Sequence, residues 1–296
     1  MPEYPDICVY QDALRRYVVD RPIQSVMIRS PFVLRTVEPD LSECFDRVVR
    51  TVHSIGKRLV LGLEDELYLV IHLMIAGRLH WKKPKSAPTR KADLAAIQFE
   101  HGTLMFTEAS TRKRASIHIV RHESSLAEFD RGGLDVLTTS LQRFTRQLTR
   151  QNRTLKRALT DPTLFSGIGN AYSDEILHAA ELSPIRWTTR LTEEEVSRLY
   201  EAVRSQLILW RDRLLQENSD RFPERVTAFR PEMAVHGKYG QPCPECGSPV
   251  QRLVYAEKET NYCAKCQTCG RILKDRSLSR LLKDDWPKTL EELESP

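Results

Sequence analysis

The sequence lacks a long hydrophobic run, a signal sequence and an internal repeat. No stretch of about eighteen apolar residues occurs, so we expect no membrane-spanning helix. The first residues also lack the positive and then apolar segments of a secretory signal. We therefore expect a cytoplasmic protein in a reducing compartment, where its seven cysteines serve as metal ligands or free thiols rather than disulfides.

The sequence also lacks a strong excess of charge. Its 296 residues carry a net charge of +5, with 41% hydrophobic and 29% charged residues. This mild basicity fits a nucleic-acid partner and fits an ordinary enzyme equally well. The length predicts about two domains, at roughly 100–200 residues per domain.

The first part of the chain reads mainly as strands. Segments 23–28, 67–73 and 115–120 are short and rich in valine and isoleucine, which favours β-structure. Residues 9–17 have the pattern of one early helix, whereas residues 41–55 fit a helix and a strand equally well. We therefore expect a mainly β N-terminal part.

After residue 133 the pattern becomes helical. Apolar residues recur at helical spacing in two stripes, one of Leu137, Leu141, Phe144 and Leu148 and the other of Val196, Leu199, Val203, Leu207 and Trp210. Thr192 and Glu195 have the spacing of a capping box at the start of the second helix. Both stripes predict packed core. A third, small unit begins near Gly237, and residues 289–296 are acidic and expected to fray.

Four cysteines have the spacing of a zinc site. Cys243 and Cys246 form one knuckle, and Cys263 and Cys266 form a second, separated from the first by 16 residues. Each knuckle presents two thiolates to one tetrahedral ion, which predicts a single structural zinc. A pairing of Cys266 with Cys269 is the alternative for the second knuckle; in the first assignment Cys269 is a spare thiol.

The region around the cysteines is rich in basic residues, namely Lys258, Lys265, Arg271, Lys274, Arg276 and Arg280. They predict a surface that faces phosphates, although an ordinary solvated surface has the same composition. A glycine-rich turn, 167–169, stands before Asn170 and the start of a helix. Asn170 is expected to cap that helix, whose free amides suit a phosphate, and plain helix capping is the alternative.

Four elements occur together in one order. The chain begins Met1-Pro2-Glu3. The segment 56–59, Gly-Lys-Arg-Leu, precedes His-Leu-Met-Ile-Ala-Gly-Arg-Leu at 72–79. The segment 166–177 reads Ser-Gly-Ile-Gly-Asn-Ala-Tyr-Ser-Asp-Glu-Ile-Leu, and the two cysteine knuckles follow. Together these resemble the formamidopyrimidine-DNA glycosylase/endonuclease VIII family, from residue 1 to about residue 285.

The resemblance implies an α+β multidomain protein with three parts and a tail. It implies an N-terminal β-sandwich at 1–130, a helix–two-turn–helix domain at 131–236, a zinc finger at 237–285 and a tail at 286–296. It further implies one structural zinc and damaged DNA as the partner. We expect a monomer that meets its DNA in the cytoplasm, at the nucleoid.

The resemblance also implies roles for single residues. Pro2 is the nucleophile once Met1 is removed, and Glu3 handles protons. Lys57 contacts the phosphate beside the lesion, and Asn170 holds another phosphate. In the finger, Lys258 stands where the family usually has an arginine.

The chemistry of a terminal proline explains the implied activity. A free α-amine has a pKa near 8, so a useful fraction is neutral at physiological pH. Because the amine of Pro2 is secondary, its attack on the sugar C1′ gives an iminium, which acts as an electron sink for strand cleavage by elimination. Glu3 can protonate the opening sugar and later serve as a base. For an arbitrary protein, Pro2-Glu3 is merely a tail and Lys57 an ordinary surface lysine.

Several positions depart from the family pattern. Asp6 stands where a glutamate is usual, and Ile75 where many members have a methionine that fills the gap left by the flipped base. Near Arg114 no phenylalanine follows, so the usual arginine–phenylalanine wedge is not evident; Arg112 or Lys113 are alternatives to Arg114. These changes leave the nucleophile intact and put the lesion preference in doubt.

We therefore predict a bifunctional glycosylase and lyase of base-excision repair. One alternative is a lesion-binding relative with little catalytic activity, which the retained Pro2, Glu3 and Lys57 argue against. A second alternative is an RNA-binding zinc-ribbon protein, which leaves those three residues unexplained.

Overall fold

The structure is a computed structural model that describes residues 1–255, 258–274 and 288–294, with the backbone alone for residues 255, 258, 293 and 294. By its contacts the chain divides into two compact units. The first comprises Met1–Arg131 and Trp210–Ala228, and the second comprises Gly132–Leu209 and Phe229–Pro296. Each of these units combines two separate stretches of the chain, whereas the four predicted segments are continuous. The boundaries of those four segments stay a prediction.

The first unit contains a complete helix, the C-terminal part of a second helix and eight strands. The complete helix is α1 (Tyr4–Val18), and the strands are β1 (Ser25–Ile28), β2 (Val49–Ile55), β3 (Arg58–Leu63), β4 (Leu67–His72), β5 (Gly77–Lys82), β6 (Asp93–Phe99), β7 (Gly102–Glu108) and β8 (Ser116–Arg121). They form two four-stranded antiparallel sheets, in the orders β1-β6-β7-β5 and β2-β3-β4-β8. Side chains of both sheets and of α1 share one apolar core, as expected for the predicted sandwich.

Two segments of the first unit refine the sequence expectations. The early helix begins at Tyr4 rather than at residue 9, because Pro5 stands in its first turn and the Asp6 carboxylate accepts the backbone N–H of Glu3 at 3.0 Å. The ambiguous segment 41–55 contains both types of structure. A short 3-10 turn, Leu41–Cys44, precedes strand β2.

The second unit is mainly helical and contains a hairpin, which two short helices follow in the described part of the chain. It contains α2 (Leu141–Thr149), α3 (Leu155–Leu159), α4 (Asn170–Ala179), part of α5 (Glu193–Glu217), β9 (Val250–Tyr255), β10 (Lys258–Cys263), α6 (Ala264–Thr268) and α7 (Leu290–Glu294). Strands β9 and β10 pair antiparallel. The boundary between the two units falls within α5, between Leu209 and Trp210.

The predicted capping box and one of the two apolar stripes are confirmed. Thr192 N–H donates to the Glu195 carboxylate at 2.9 Å, and the Glu195 N–H donates to the Thr192 hydroxyl at 3.2 Å. The stripe of α5 is buried throughout. In the other stripe, Phe144 and Leu148 are buried, but Leu141 is 38% exposed. The core prediction is therefore wrong for Leu141, which lies in the first turn of α2. Leu137 is half-buried and lies in a turn before that helix, so it is wrong there as well.

The expected fraying of residues 289–296 is wrong for the part nearest the finger. The Ile272 N–H donates to the Lys288 carbonyl at 2.8 Å, and the Leu290 N–H donates to the Gly270 carbonyl at 3.1 Å. Leu290 also packs against the small apolar cluster of the finger. Acidic composition indicated a solvated tail, but backbone pairing holds these residues.

Gly77 is a position where the fold requires the absence of a side chain. A Cβ atom there lies 2.1 Å from the carbonyl oxygen of Leu73, the same oxygen that accepts the Gly77 N–H at 2.8 Å. We expect Gly77→Ala to lower the free energy of unfolding by about 2 kcal/mol or more, because backbone must move. Urea unfolding measures this change.

Gly132→Ala is the control for this prediction. Gly132 has a φ of +74° and no heavy atom within 4 Å of an added Cβ, so the substitution carries backbone strain without a clash. We expect it to cost about 1 kcal/mol. A Gly77→Ala variant no less stable than Gly132→Ala contradicts the clash argument.

Candidate active site and zinc centre

The N-terminus lies among buried acidic groups. Pro2 is buried, and the side chains of Glu3 and Asp6 are only 2% and 1% exposed. Burial lowers the pKa of the Met1 amino group; the carboxylate of Glu3 opposes this shift and the guanidinium of Arg78 adds to it. An amine with a lowered pKa has a larger neutral fraction at neutral pH, and the neutral form is the nucleophile.

Lys57 belongs to the same electrostatic environment. It lies in the tight turn between β2 and β3, where Gly56 has a φ of +59°. Burial lowers the pKa of the Lys57 ammonium, and the carboxylates of Glu3 and Asp6 oppose this shift. The structure thus brings the predicted residues Glu3 and Lys57 together with the chain terminus.

His72 extends this cluster and was not singled out from the sequence. It ends β4 and pairs in register with Arg58, the residue after Lys57. Burial, and then the positive charge of Arg58, lower the pKa of His72 to about 4. His72 is therefore neutral at pH 7 and offers a hydrogen bond rather than a charge. The spacing between the segments 56–59 and 72–79 is that of a β-hairpin, so the pairing that places His72 beside Arg58 could have been predicted from the sequence.

The predicted wedge residues Ile75 and Arg114 are exposed, and the loop that carries Arg114 is anchored. Ile75 is 61% exposed, and the side chain of Arg114 is also exposed. The carboxylate of Glu108, itself 1% exposed, accepts the backbone N–H groups of Arg114 at 2.8 Å and Ala115 at 3.1 Å. Lys113 donates to the Glu108 carbonyl. Glu108 therefore fixes the backbone that presents Arg114, a role that the sequence did not reveal.

The structure corrects one prediction for the glycine-rich turn. Gly169, not Asn170, is the N-cap of α4, and Asn170 is the first helical residue. The Asn170 amide donates to the carbonyl of Glu259 in β10 at 2.9 Å. Gly169 has the extended backbone of an N-cap residue. The Asn170 side chain therefore does not cap α4 and is available for a partner outside that helix.

Two adjacent acids of α4 organise their surroundings. Asp174 accepts the Lys156 ammonium at 2.5 Å and Nδ1 of His236 at 2.7 Å. Glu175 accepts three consecutive backbone N–H groups at 2.8, 3.0 and 2.9 Å, those of residues 234–236. Lys156 also donates to the Asn170 carbonyl at 2.6 Å. The sequence analysis included these two acids in a motif but predicted no role for them. Their position together, shortly after a glycine-rich turn, was the feature that could have indicated one.

The four predicted cysteines form one cluster. The sulfurs of Cys243, Cys246, Cys263 and Cys266 all lie within 4.8 Å of one another. Cys243 and Cys266 are 3.9 Å apart, and Cys246 and Cys263 are 3.4 Å apart. A tetrahedral zinc with bonds of about 2.3 Å needs sulfurs about 3.8 Å apart, so the arrangement fits this ion.

Cys269 does not belong to the cluster. It follows α6 with a φ of +52° and is exposed. The alternative pairing of Cys266 with Cys269 is therefore wrong. Burial raises the pKa of Cys263 to about 11. Burial also raises the pKa of Cys246, but hydrogen bonds from Ser248 and the neighbouring thiols outweigh it and lower that pKa to about 7. A cation is needed to hold all four groups as thiolates.

Part of the predicted basic surface of the finger is described. Lys265, Arg271 and Lys274 are exposed. Arg276, Arg280 and the side chain of Lys258 lie outside the described residues. Three of the six predicted basic residues are therefore described and exposed.

Comparison with known proteins identifies the family. Residues 1–115 match the model of the formamidopyrimidine-DNA glycosylase N-terminal domain, 134–209 the helix–two-turn–helix domain of that enzyme, and 240–268 the zinc finger found in this glycosylase and in isoleucyl-tRNA synthetase. The formamidopyrimidine-DNA glycosylase of Thermus thermophilus is 34% identical over 278 residues, covering 91% of this chain and all of the relative. The chain belongs to the formamidopyrimidine-DNA glycosylase family.

Two further relatives extend this result. The formamidopyrimidine-DNA glycosylase of Desulfitobacterium hafniense is 30% identical over 279 residues, which cover 90% of this chain and 100% of the relative. The crystal structure of a Lactococcus lactis variant of the family, in complex with DNA containing Fapy-dG, is 25% identical with a TM-score of 0.80. It covers 90% of this chain and 100% of the relative. The predicted fold class, an α+β protein with a sheet domain, a helix–two-turn–helix domain and a zinc finger, is thereby confirmed.

Membership of the family also accounts for the metal. The matched zinc-finger segment contains all four clustered cysteines, which confirms the prediction of one structural zinc. In the described part of the chain, no helix combines the length and the apolar character needed to cross a bilayer.

The cysteine assignment predicts a difference between two conservative variants. Cys263→Ser removes a buried ligand, whereas Cys269→Ser changes an exposed thiol outside the cluster. We expect Cys263→Ser to lose its zinc and bind DNA more weakly, and Cys269→Ser to retain one zinc per chain. Metal analysis of the purified proteins measures this, and equal zinc content in the two variants contradicts the assignment.

Proposed function

We propose that this chain excises damaged bases from DNA with Pro2 as the nucleophile and then cleaves the strand as a lyase. It is a DNA glycosylase of base-excision repair, as the family to which it belongs indicates. The observation that carries the proposal is the surroundings of the terminus. The amino group of Met1, whose removal frees the adjacent Pro2 nitrogen, has a lowered pKa, and the buried Glu3 and the Lys57 ammonium act on it electrostatically.

In this proposal the amine of Pro2 attacks C1′ of the damaged nucleotide. The bond from C1′ to the base breaks, and the base leaves with the electron pair and takes up the proton that the Pro2 nitrogen loses. Glu3 donates a proton to the ring oxygen, and the nitrogen lone pair forms the iminium as the sugar opens. The Glu3 carboxylate then accepts the proton from C2′, and the C3′–oxygen bond breaks with the iminium as electron sink, so that the 3′ phosphate leaves with the electron pair.

Buried acids suit this sequence of steps. Because Glu3 is almost wholly buried, its proton exchanges with the sugar rather than with bulk water. The carboxylate of Asp6 accepts the N–H of Glu3 at 3.0 Å and so fixes the backbone that carries Glu3. Asp6 therefore orients Glu3, although a glutamate is more usual at this position in the family.

We propose that four residues contact the DNA. Lys57 neutralises the phosphate beside the lesion, and Asn170 holds another phosphate at the start of α4. A phosphate there shares the Asn170 amide with the carbonyl of Glu259. Arg114, on the loop anchored by Glu108, enters the duplex, and Lys258 is proposed to bind phosphate from the finger. Lysine lacks the planar fork of arginine, so Lys258 acts as a point charge.

The assembly and location are part of the same proposal. We propose that the protein acts as a monomer on DNA in the cytoplasm, at the nucleoid, because the proposed chemistry needs one terminal amine and one zinc finger. The three segments 1–130, 131–236 and 237–285 are the proposed functional domains, followed by the tail 286–296. Size-exclusion chromatography with light scattering, with and without an abasic duplex, tests the monomer.

The role of Pro2 predicts that activity requires removal of Met1. Retained Met1 turns the Pro2 nitrogen into an amide, which cannot attack. We expect borohydride to trap the protein on abasic-site DNA only when mass spectrometry shows Pro2 as the first residue. Pro2→Gly keeps a primary amine and is expected to retain weaker trapping.

A removable N-terminal extension is the matched control for this prediction. Protein with the extension is expected to show no trapping, and protease treatment that exposes Pro2 restores it without changing any other residue. Full strand cleavage by protein that retains Met1 contradicts the assignment of the nucleophile. Borohydride trapping that is unaffected by the extension also contradicts this assignment.

The exposed wedge residues predict a preference among lesions. Unstacking a base costs a few kcal/mol, and an inserted apolar side chain offsets this cost. Ile75 is a shorter plug than methionine, and no aromatic residue stands near Arg114. We expect single-turnover cleavage at an abasic site to exceed that at 8-oxoguanine opposite cytosine by about tenfold or more, which corresponds to about 1.4 kcal/mol.

Ile75→Met is the informative variant. A longer plug is expected to raise the rate on 8-oxoguanine and to leave the abasic-site rate unchanged. If the original protein processes both substrates equally fast, the missing wedge does not matter, and another loop, such as residues 82–88, supplies it. Equal rates therefore contradict the prediction.

A further inference from the structure

His178 contacts a zinc ligand from outside the finger. It lies in the last turn of α4, is 6% exposed, and its Nε2 is 3.3 Å from the sulfur of Cys243. Cys243 itself is 2% exposed, so water does not compete for this contact. A zinc-bound thiolate carries no proton and only accepts hydrogen bonds. Nε2 of His178 therefore carries the proton and donates it.

The same helix is held to the finger at two further points. At its first residue, the Asn170 amide donates to the Glu259 carbonyl at 2.9 Å. Just beyond its end, the Gln267 amide donates to the Leu182 carbonyl at 2.9 Å, while the Gln267 carbonyl oxygen accepts the Cys263 N–H at 2.8 Å. Helix α4 is therefore tied to the finger at both ends, and the His178 bond is the one that reaches a sulfur of the metal site.

The donor has a chemical consequence for the metal. Zinc with four thiolates carries a net charge of −2, which is costly to bury. A hydrogen bond from a neutral imidazole withdraws electron density from one sulfur and stabilises the buried thiolate. Partners of this kind also fix the geometry of the ligand that they contact.

We propose that His178 is a positioning residue of the zinc centre, which donates from Nε2 to the sulfur of Cys243 and so couples zinc binding to the orientation of α4. The helix carries Asn170 at its other end, so loss of zinc loosens a proposed phosphate ligand. This last link rests on the proposed function. The bond between His178 and the zinc ligand does not.

The test compares full-length, zinc-loaded variants. His178→Leu fills similar volume without a donor, and His178→Gln keeps an N–H group on a side chain of comparable reach. Ser173→Ala is the matched control, because its buried hydroxyl donates to the Gly169 carbonyl at the opposite end of α4. We expect zinc transfer to a chromophoric chelator to be about tenfold faster for His178→Leu, near the original rate for His178→Gln, and unchanged for Ser173→Ala.

Cobalt substitution separates electronic from packing effects. A sulfur that loses its hydrogen bond gives up electrons more readily, so the thiolate-to-cobalt charge-transfer band of His178→Leu is expected at longer wavelength. His178→Gln should keep the original band. Should His178→Leu fail to fold, His178→Asn, which is too short to reach the sulfur, replaces it in both measurements.

Two outcomes overturn the proposal. In the first, the variant lacking the donor releases zinc at the original rate. In the second, it releases zinc faster but its cobalt band does not move, which shows a packing role alone. Borohydride trapping of the original protein on abasic DNA is measured in parallel. Its failure removes the proposed function and leaves the zinc result standing.

Discussion

The hydrogen bond from the Glu3 N–H to the Asp6 carboxylate is the constraint on which the proposed chemistry depends. Chain termini usually fray, because nothing offsets the entropy lost when they are ordered. Here Asp6 closes the first turn of α1, and Pro2 and Glu3 are buried. A nucleophile at the end of the chain needs this anchoring, since an amine on a mobile tail rarely meets C1′.

In the second unit, buried carboxylates of α4 likewise hold neighbouring groups through hydrogen bonds. The carboxylates of Asp174 and Glu175 each accept several donors within the unit, and His178 adds a donor toward the zinc cluster. Each of these groups is costly to bury without a partner and stabilising when its partners are in place. The segment before the finger, the start of α4 and the metal site are therefore held by one set of buried polar contacts.

Much of this arrangement could be predicted from the sequence, and the rest could not for identifiable reasons. Cysteine spacing predicted the four ligands, because tetrahedral coordination restricts how thiolates are placed along a chain. Apolar periodicity predicted α5, whose capping box is local. Glu108 was missed because its partners are backbone N–H groups, and His236 because its partner Asp174 is distant in sequence. Neither kind of contact produces a recognisable sequence pattern. The N-cap of α4 was assigned to Asn170, since a side-chain cap is the stronger local signal than Gly169.

The division between buried and exposed groups separates chemistry from substrate choice. The groups around the terminus are charged and largely buried, so substitution of Glu3 or Asp6 alters the pKa of the terminal amine and that of Lys57. Ile75 and Arg114 have exposed side chains. Asp6 and Glu108, by contrast, are buried and accept backbone N–H groups that hold the fold in place. Exposed positions such as Ile75 and Arg114 change at little cost in stability. A chain with this pattern keeps its reaction while its range of lesions shifts.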